Sequence, residues 1–278
     1  EDADYLVLAT KRGLVKKTPL SLYNSPRSGG IIAINLREDE DGKPDELVSA
    51  QTIMADEDLI LVSRDGQAVR FTATDDQLRS MGRSTSGVRG MKFRGDDELL
   101  SMEVPRENTD LLIVTESGYA KRTPVDEYPT KSRGTLGVRV GKLVDERGGL
   151  VGALVVRPDE DVMVITESGK LVQVNASDVR PTARNTMGVI FARPDDGDRI
   201  IAITRNSDSG DEDETDDSEN TEAVEGTDTP RTRPRPPQAA TRPQPPTTDA
   251  RSRDEAGASS RDQSAKAARS QRRSQVMR

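Results

Sequence analysis

Short runs of apolar, mostly β-branched residues recur along the first 205 residues, and a polar-glycine turn follows each of them. The runs LVLAT, LILVS, LLIVT and VMVIT have the length and composition of strands and are too short for helices. The glycine of each turn supplies the positive φ that a tight hairpin needs. An apolar period of 3.6 residues is not sustained anywhere. The pattern therefore predicts an all-β fold.

The strand pattern is written four times. The turn glycines Gly13, Gly66, Gly118 and Gly169 are 53, 52 and 51 residues apart. Each unit also contains a returning strand (LVKKT, QAVRF, YAKRT, KLVQV) and a third strand after a second glycine (GIIAINL, GVRGMKF, GVRVGKL, GVIFARP). A fourth strand (ELVSAQT, ELLSMEV, LVGALVV, RIIAITR) completes the unit. Four strands per ~50 residues are typical of propeller blades. We predict repeats at about residues 4–54, 55–106, 107–157 and 158–205.

The last part of the chain differs in composition and charge. Residues 206–278 have almost no large apolar side chains, so we expect them to be disordered. Residues 206–229 contain 11 acidic and no basic side chains, whereas residues 230–278 contain 12 basic and 4 acidic ones. The sequence predicts an acidic linker followed by a basic Pro/Arg-rich tail. Whether either segment regulates the repeats or only separates and solubilises them is left open.

Composition excludes several classes of site. Cysteine and histidine are absent, which removes disulfides, thiolate or imidazole metal sites and His-based triads. No apolar run is long enough to cross a membrane as a helix. The acidic loop at residues 38–42 lacks the spacing of a calcium loop, so we expect no metal. The net charge of −8 has two interpretations. It could be an adaptation to a salty cytoplasm, or the protein could simply be acidic. Because the chain begins at Glu1, we expect a fragment or a processed chain.

Basic residues recur at equivalent places in the units. The spacing R-x-x-x-G-V begins at Arg83, Arg133 and Arg184, and a version shorter by one residue begins at Arg27. Equivalent positions on successive blades would line one rim with a curved track of cations. Separated cations without interleaved aromatic residues suit the phosphates of a duplex rather than base edges. The alternative is that the arginines are solvated loop charges beside turn glycines.

Three long segments resemble consecutive blades of the C-terminal domain of the DNA gyrase A subunit. They are ATKRGLVKKTPLSLYNSPRSGGIIAINL, VRFTATDDQLRSMGRSTSGVRGMK and LLIVTESGYAKRTPVDEYPTKSRGTLGV, and the resemblance covers about residues 4–205. The related domain of topoisomerase IV is usually more degenerate, and RSGGIIAINL and MGRSTSGVRG favour gyrase. The resemblance implies a six-bladed, propeller-like β-pinwheel with strands exchanged between neighbouring blades. In that family the basic perimeter wraps DNA and supports ATP-dependent negative supercoiling.

The resemblance also implies partners and site residues. The partners would be double-stranded DNA, the remainder of the gyrase A subunit and the gyrase B subunit, in the cytoplasm and nucleoid and away from any membrane. ATP and magnesium would belong to other parts of the holoenzyme, so no cofactor is expected in this chain. By register, the DNA contacts would be Lys16, Lys17, Arg27, Arg70, Arg83, Lys121, Arg122, Lys131, Arg133 and Arg184.

The sequence departs from the family pattern in three ways. Four blade units are present where the family usually has six, and the Gln-Arg-Arg-Gly-Gly-Lys-Gly box is missing, although residues 131–137 occupy an analogous place. The breakage-reunion domain is absent, so we expect no catalysis by this chain alone. The four tyrosines lie in blade motifs, and we assign none as a nucleophile: Tyr5, Tyr23, Tyr119 and Tyr128. Two other interpretations remain open, a protein-interaction propeller and a gene remnant without function.

Overall fold

The computed structural model describes residues 3–24 and 28–206, which form strands joined by loops and short 3-10 turns. The predicted all-β fold with four blade repeats is confirmed. None of the described residues belongs to a helix long and apolar enough to cross a membrane. The predicted tail, and the acidic linker apart from Asn206, lie outside the described residues.

Each unit opens with an antiparallel hairpin. The four hairpins are β1 (Tyr5–Thr10) with β2 (Leu14–Pro19), β4 (Asp58–Ser63) with β5 (Gln67–Thr72), β8 (Asp110–Thr115) with β9 (Tyr119–Pro124), and β12 (Asp161–Thr166) with β13 (Leu171–Asn175). The four turn glycines have φ values of 75°, 77°, 79° and 86°, so the predicted requirement for positive φ is confirmed.

One further strand per unit pairs with the first strand of its own hairpin. These inner strands are β3 (Leu47–Ile53), β7 (Leu99–Glu103), β11 (Leu150–Val156) and β15 (Ile200–Arg205). Each inner strand contacts the next, so the four inner strands follow one another in chain order. Glu103 adds a tie between units here, since it accepts hydrogen bonds from Arg205 and from the backbone N–H of Val155.

The outermost strand of a blade comes from the following unit. Strands β6 (Val88–Arg89), β10 (Val138–Arg139) and β14 (Val189–Ile190) pair with β2, β5 and β9, respectively. The first three sheets therefore have four strands each, and the fourth has three. This confirms the exchange of strands between neighbouring blades that the resemblance implied.

The strand predicted at GIIAINL in the first unit does not form, and that prediction was wrong. Its counterparts in later units are strands because they pair with the hairpin of the preceding unit, and no preceding hairpin lies within the described residues. Likewise, the outer edge of β13 has no strand beside it in the described part of the chain. The exposed large apolar side chains lie in these first and last units: Leu22, Ile32, Leu47, Met54, Leu171, Met187, Val189, Ile190 and Ile201.

Three apolar clusters lie between adjacent units rather than within them. In β4, Leu59 and Leu61 pack with residues of the first unit, whereas Ile60 and Val62 pack with residues of the third. The hairpin of a middle blade is therefore buried on both faces. This double burial explains why the first strands read as continuous apolar runs instead of alternating apolar and polar residues.

The second glycine of a unit permits the close approach on which strand exchange depends. In units two to four, a Cβ atom at this position would lie 2.1–2.5 Å from a backbone carbonyl oxygen of the preceding hairpin. Real Cβ atoms do not approach oxygen so closely, so any side chain would push the exchanged strand away. The three pairs are Gly87 with Val15, Gly137 with Ala68 and Gly188 with Ala120.

Replacing Gly137 by alanine tests this close approach. Because Gly137 has a φ of 76° and its new Cβ would meet the Ala68 oxygen at 2.1 Å, Gly137→Ala should destabilise the fold by roughly 2–4 kcal/mol. Equilibrium unfolding in urea measures the change in stability. Gly42→Ala is the matched control, since Gly42 also has a positive φ, of 77°, and nothing lies within 4 Å of its Cβ position. Equal stability of the two variants would contradict this account of the exchange.

Candidate nucleic-acid interface

The arginines of the R-x-x-x-G segments, here called the corner arginines, occupy equivalent places. Arg83, Arg133 and Arg184 are half-buried, and the Nη1 atom of each donates to a backbone carbonyl of the preceding unit. Each acceptor lies two residues after the second glycine of that preceding unit. The acceptors are Ile32, Arg89 and Arg139, at 3.4, 2.9 and 3.5 Å. The corners therefore recur with the same contact from blade to blade.

Lys131, another predicted contact, is placed differently from these. Lys131 is exposed on the corner of the third unit, two residues before Arg133, and its backbone N–H donates to the Arg70 carbonyl at 2.8 Å. Arg27 lies outside the described residues.

The second basic position of the returning strand carries Lys17, Arg70 and Arg122. Lys17 and Arg122 are only 1% and 4% exposed, and the side chain of Arg70 is 19% exposed. Each side chain donates to a backbone carbonyl in the turn that follows the hairpin of the next unit. The acceptors are Ala73 at 2.6 Å, Val125 at 3.1 Å and Val179 at 2.8 Å.

The first basic position carries Lys16 and Lys121, whose side chains are also buried. The Nζ atom of Lys16 donates to the carbonyls of Ala33 and Arg83, and that of Lys121 donates to the Val140 carbonyl and the Thr123 hydroxyl. Burial lowers the pKa of each lysine to about 8, and the neighbouring corner arginine acts in the same direction.

Four of these five side chains are buried and that of Arg70 is half-buried, which differs from the exposure that a phosphate contact would need. Each of the five donates to at least one backbone carbonyl, and the three at the second position, like Lys16, reach a carbonyl of the next unit. The sequence pattern predicted that these cations occupy equivalent positions in the units, and it carried no signal of their burial. Contact between DNA and these five residues stays a prediction without an exposed surface to support it.

Exposed cations that sequence reasoning missed follow the exchanged strands. The outer row, as we call it, makes no ion pair with any described residue and consists of Arg89, Lys92, Arg94, Arg139 and Lys142. The signal was present as R-x-x-K in GVRGMK and GVRVGK. Arg89, Lys92 and Arg94 line a cleft of about 410 Å³ together with Arg12 and the apolar side chains of Met91, Phe93 and Leu136. Because Arg89 and Arg139 also supply the carbonyls that bind corner arginines, the outer row and the corners are neighbours.

Comparison with known families gives a match over most of the described residues. The model of the DNA gyrase C-terminal domain, a beta-propeller, matches residues 4–53, 57–106, 109–157 and 160–207. The four matches are consecutive and each covers one unit.

The chain is similar to curated DNA gyrase A subunits. The Streptomyces coelicolor subunit is 54% identical over 210 residues, which are 76% of this chain and 24% of that protein. The Mycolicibacterium smegmatis subunit is 52% identical over 208 residues, covering 75% of this chain and 24% of that protein. This chain thus spans about a quarter of the length of these relatives.

Two solved structures share the architecture. A DNA gyrase A C-terminal domain superimposes with a TM-score of 0.64 at 28% identity, covering 74% of this chain and 66% of that one. The C-terminal domain of DNA topoisomerase IV gives a TM-score of 0.66 at 22% identity over 74% and 62% of the two chains. The second comparison supports the fold alone.

The lowered pKa values of Lys16 and Lys121 predict a specific dependence of stability on pH. In the folded chain each amine loses its proton near pH 8, whereas in the unfolded chain it does so near 10.5. Between these values the unfolded state binds more protons, so these lysines should make the free energy of unfolding rise with pH. The rise should reach at most about 3 kcal/mol per lysine.

Urea unfolding at intervals from pH 7.5 to 9.5 measures this rise. Lys121→Met should be more stable than the unmodified chain near pH 7.5, and its advantage should shrink as pH rises. Lys131→Met is the control, because it removes a lysine from the same unit whose side chain is exposed. A profile for Lys121→Met that runs parallel to that of the unmodified chain would contradict the prediction.

Proposed function

The chain belongs to the DNA gyrase C-terminal domain family, and on that basis we propose that it binds duplex DNA without reading its sequence and bends it around the rim of its blades. One observation supports this most directly. Exposed cations that pair with no described carboxylate recur at equivalent points of successive blades, in the outer row and beside the corner arginines. A duplex that follows this rim would meet a group of these cations at the second and at the third unit, and a corner arginine at the fourth.

The chemistry of the rim suits phosphate rather than base edges. A guanidinium has five N–H donors in a fixed fork, and the hydrogen bonds of Arg83 and Arg184 to carbonyls use only Nη1. Because the guanidinium is planar, the hydrogen bond from Nη1 also fixes the directions of its remaining N–H donors. Backbone contacts of this kind release counterions and position a duplex without specifying its sequence.

The acidic composition does not oppose this assignment, because many carboxylates are paired elsewhere. Asp39, Glu98 and Glu167 form ion pairs with cations at or beside the hairpin turns rather than with the outer row. The outer row therefore keeps its positive charge.

The proposal places the chain in a larger assembly. We infer that it acts as the C-terminal part of a gyrase A subunit, together with the remainder of that subunit, a gyrase B subunit and DNA in the cytoplasm. Its contribution would be to direct the path of the duplex during ATP-dependent negative supercoiling. We propose that it does not cleave DNA itself, that it holds no cofactor, and that ATP and magnesium act elsewhere in the complex.

Closure of relaxed circular plasmid in the presence of the chain tests this function. The 278-residue chain is bound to nicked plasmid, the nick is ligated, and the linking numbers of the deproteinised products are compared. If the chain bends DNA around its rim, the distribution should shift in proportion to bound protein. Binding without any shift would contradict bending, and absence of binding would favour a protein-interaction role or a remnant without function.

Charge reversal on the outer row tests which residues bind phosphate. Arg89→Glu with Arg139→Glu should abolish most of the shift, and the slope of log affinity against log salt should fall by about 0.9 for each phosphate that the variant no longer neutralises. Lys43→Glu with Arg157→Glu is the control, since it changes the net charge equally at exposed sites outside the outer row. If both pairs of substitutions weaken binding equally, the outer row has no special role.

A further inference from the structure

At one position of the returning strand, both the side chain and the backbone carbonyl form hydrogen bonds with the next unit. It lies four residues after the turn glycine and is occupied by Lys17, Arg70 and Arg122, here called the link residues. Their side chains donate to carbonyls of the next unit, as described above. Their own backbone carbonyls also accept N–H groups from the next unit, namely those of Met81, Lys131 and Thr182, at 2.8, 2.8 and 2.9 Å.

The backbone hydrogen bonds of the link residues are formed with residues close to the corner arginines. Met81, Lys131 and Thr182 each lie two residues before Arg83, Arg133 and Arg184, respectively. A shift of a link residue would therefore move the corner of the following blade. The spacing is the same in all three cases, so the arrangement belongs to the repeat and not to one blade.

The side chains of the link residues also contact residues of their own unit. The Nε atom of Arg70 donates to Asp58 at 2.7 Å, and that of Arg122 lies 3.4 Å from the Asp110 carboxylate. Lys17 lies over the ring of Tyr5, at 4.8 Å from its centroid. Each link residue is thus bound to its own blade and to the next, in an interior where such interactions are strong and directional.

The fourth unit gives an internal comparison. Gln173 occupies the equivalent position and donates to Asp161 of its own unit at 2.6 Å. No following unit lies within the described residues, so the structure describes no neighbouring blade that this residue could join. A cation occupies the position in each described unit that has a successor.

We propose that Lys17, Arg70 and Arg122 are positioning residues that set the angle between successive blades and thereby the path of the bound duplex, without contacting phosphate themselves. The proposal rests on the proposed function, because it assigns these residues a role in directing DNA. Their burial leaves the phosphate contacts to the corner arginines and the outer row.

Arg70→Gln in the full chain is the first test, because Arg70 is the least buried link residue and glutamine occupies this position in the fourth unit. We expect the affinity for duplex DNA and its salt slope to stay as in the unmodified chain. The linking-number shift per bound protein should fall by about twofold, since two blades would no longer hold a fixed angle against the stiffness of DNA.

A distance measurement tests the link without DNA. The chain has no cysteine, so Ser84→Cys and Ser132→Cys introduce two spin labels on the exposed corners of neighbouring blades. The distribution of distances between the labels should broaden in Arg70→Gln and return to its original width in Arg70→Lys, because lysine serves the same position in the first unit. Arg64→Gln is the matched control, since Arg64 pairs with Glu98 within its own unit.

Several outcomes would overturn the proposal. A salt slope that falls by about 0.9 in Arg70→Gln would mean that Arg70 contacts phosphate directly. An unchanged linking-number shift, or an unchanged distance distribution, in a variant with the unfolding profile of a folded protein would mean that the link does not set the angle. If the unmodified chain binds DNA without a shift, the proposed function fails first, and the assignment of a DNA path to the link residues fails with it.

Discussion

The structure depends on one interaction between units: the pairing of a two-residue strand with the hairpin of the preceding unit. This pairing requires the backbone at the second glycine to come closer to a carbonyl oxygen than any Cβ atom could. It completes the sheet of one blade with residues from the next. It also brings the two units together over a shared apolar cluster, so that the core of this protein lies between its repeats. Repeats of this kind are stabilised largely by their interfaces.

The same interface determines where charge can be placed. A buried cation is tolerated only when hydrogen bonds replace its hydration. Lys17 and Arg122 meet much of this condition, because the turn of the following blade offers each a backbone carbonyl and a carboxylate lies beside each, although the buried Nη1 atom of Arg122 has no partner among the described residues. Arg89 and Arg139, on the exchanged strands, face solvent and need no such partner. The repeat thus contains two sets of cations. The buried set connects neighbouring blades, and the exposed set gives the rim its positive charge.

The proposed function follows from combining these two sets. Exposed cations alone would attract DNA but would not impose a path on it. Blades held at a fixed angle by buried links would present those cations along a curve, and a stiff duplex would have to bend to remain in contact with them. Bending a duplex in this way would therefore require both a rigid interior and a positively charged surface.

The sequence by itself determined the strands of the hairpins, the hairpin turns and the four repeats. These features depend on near neighbours along the chain: an apolar run, a glycine with positive φ such as Gly66, and a fixed spacing. It also determined which positions are equivalent, and so it placed the cations in register. Only the tertiary structure decided their depth, since Lys17 and Arg122 are buried against carbonyls of the following unit. The failed strand at GIIAINL has the same cause, because the strand forms only where another unit supplies its hydrogen-bond partners.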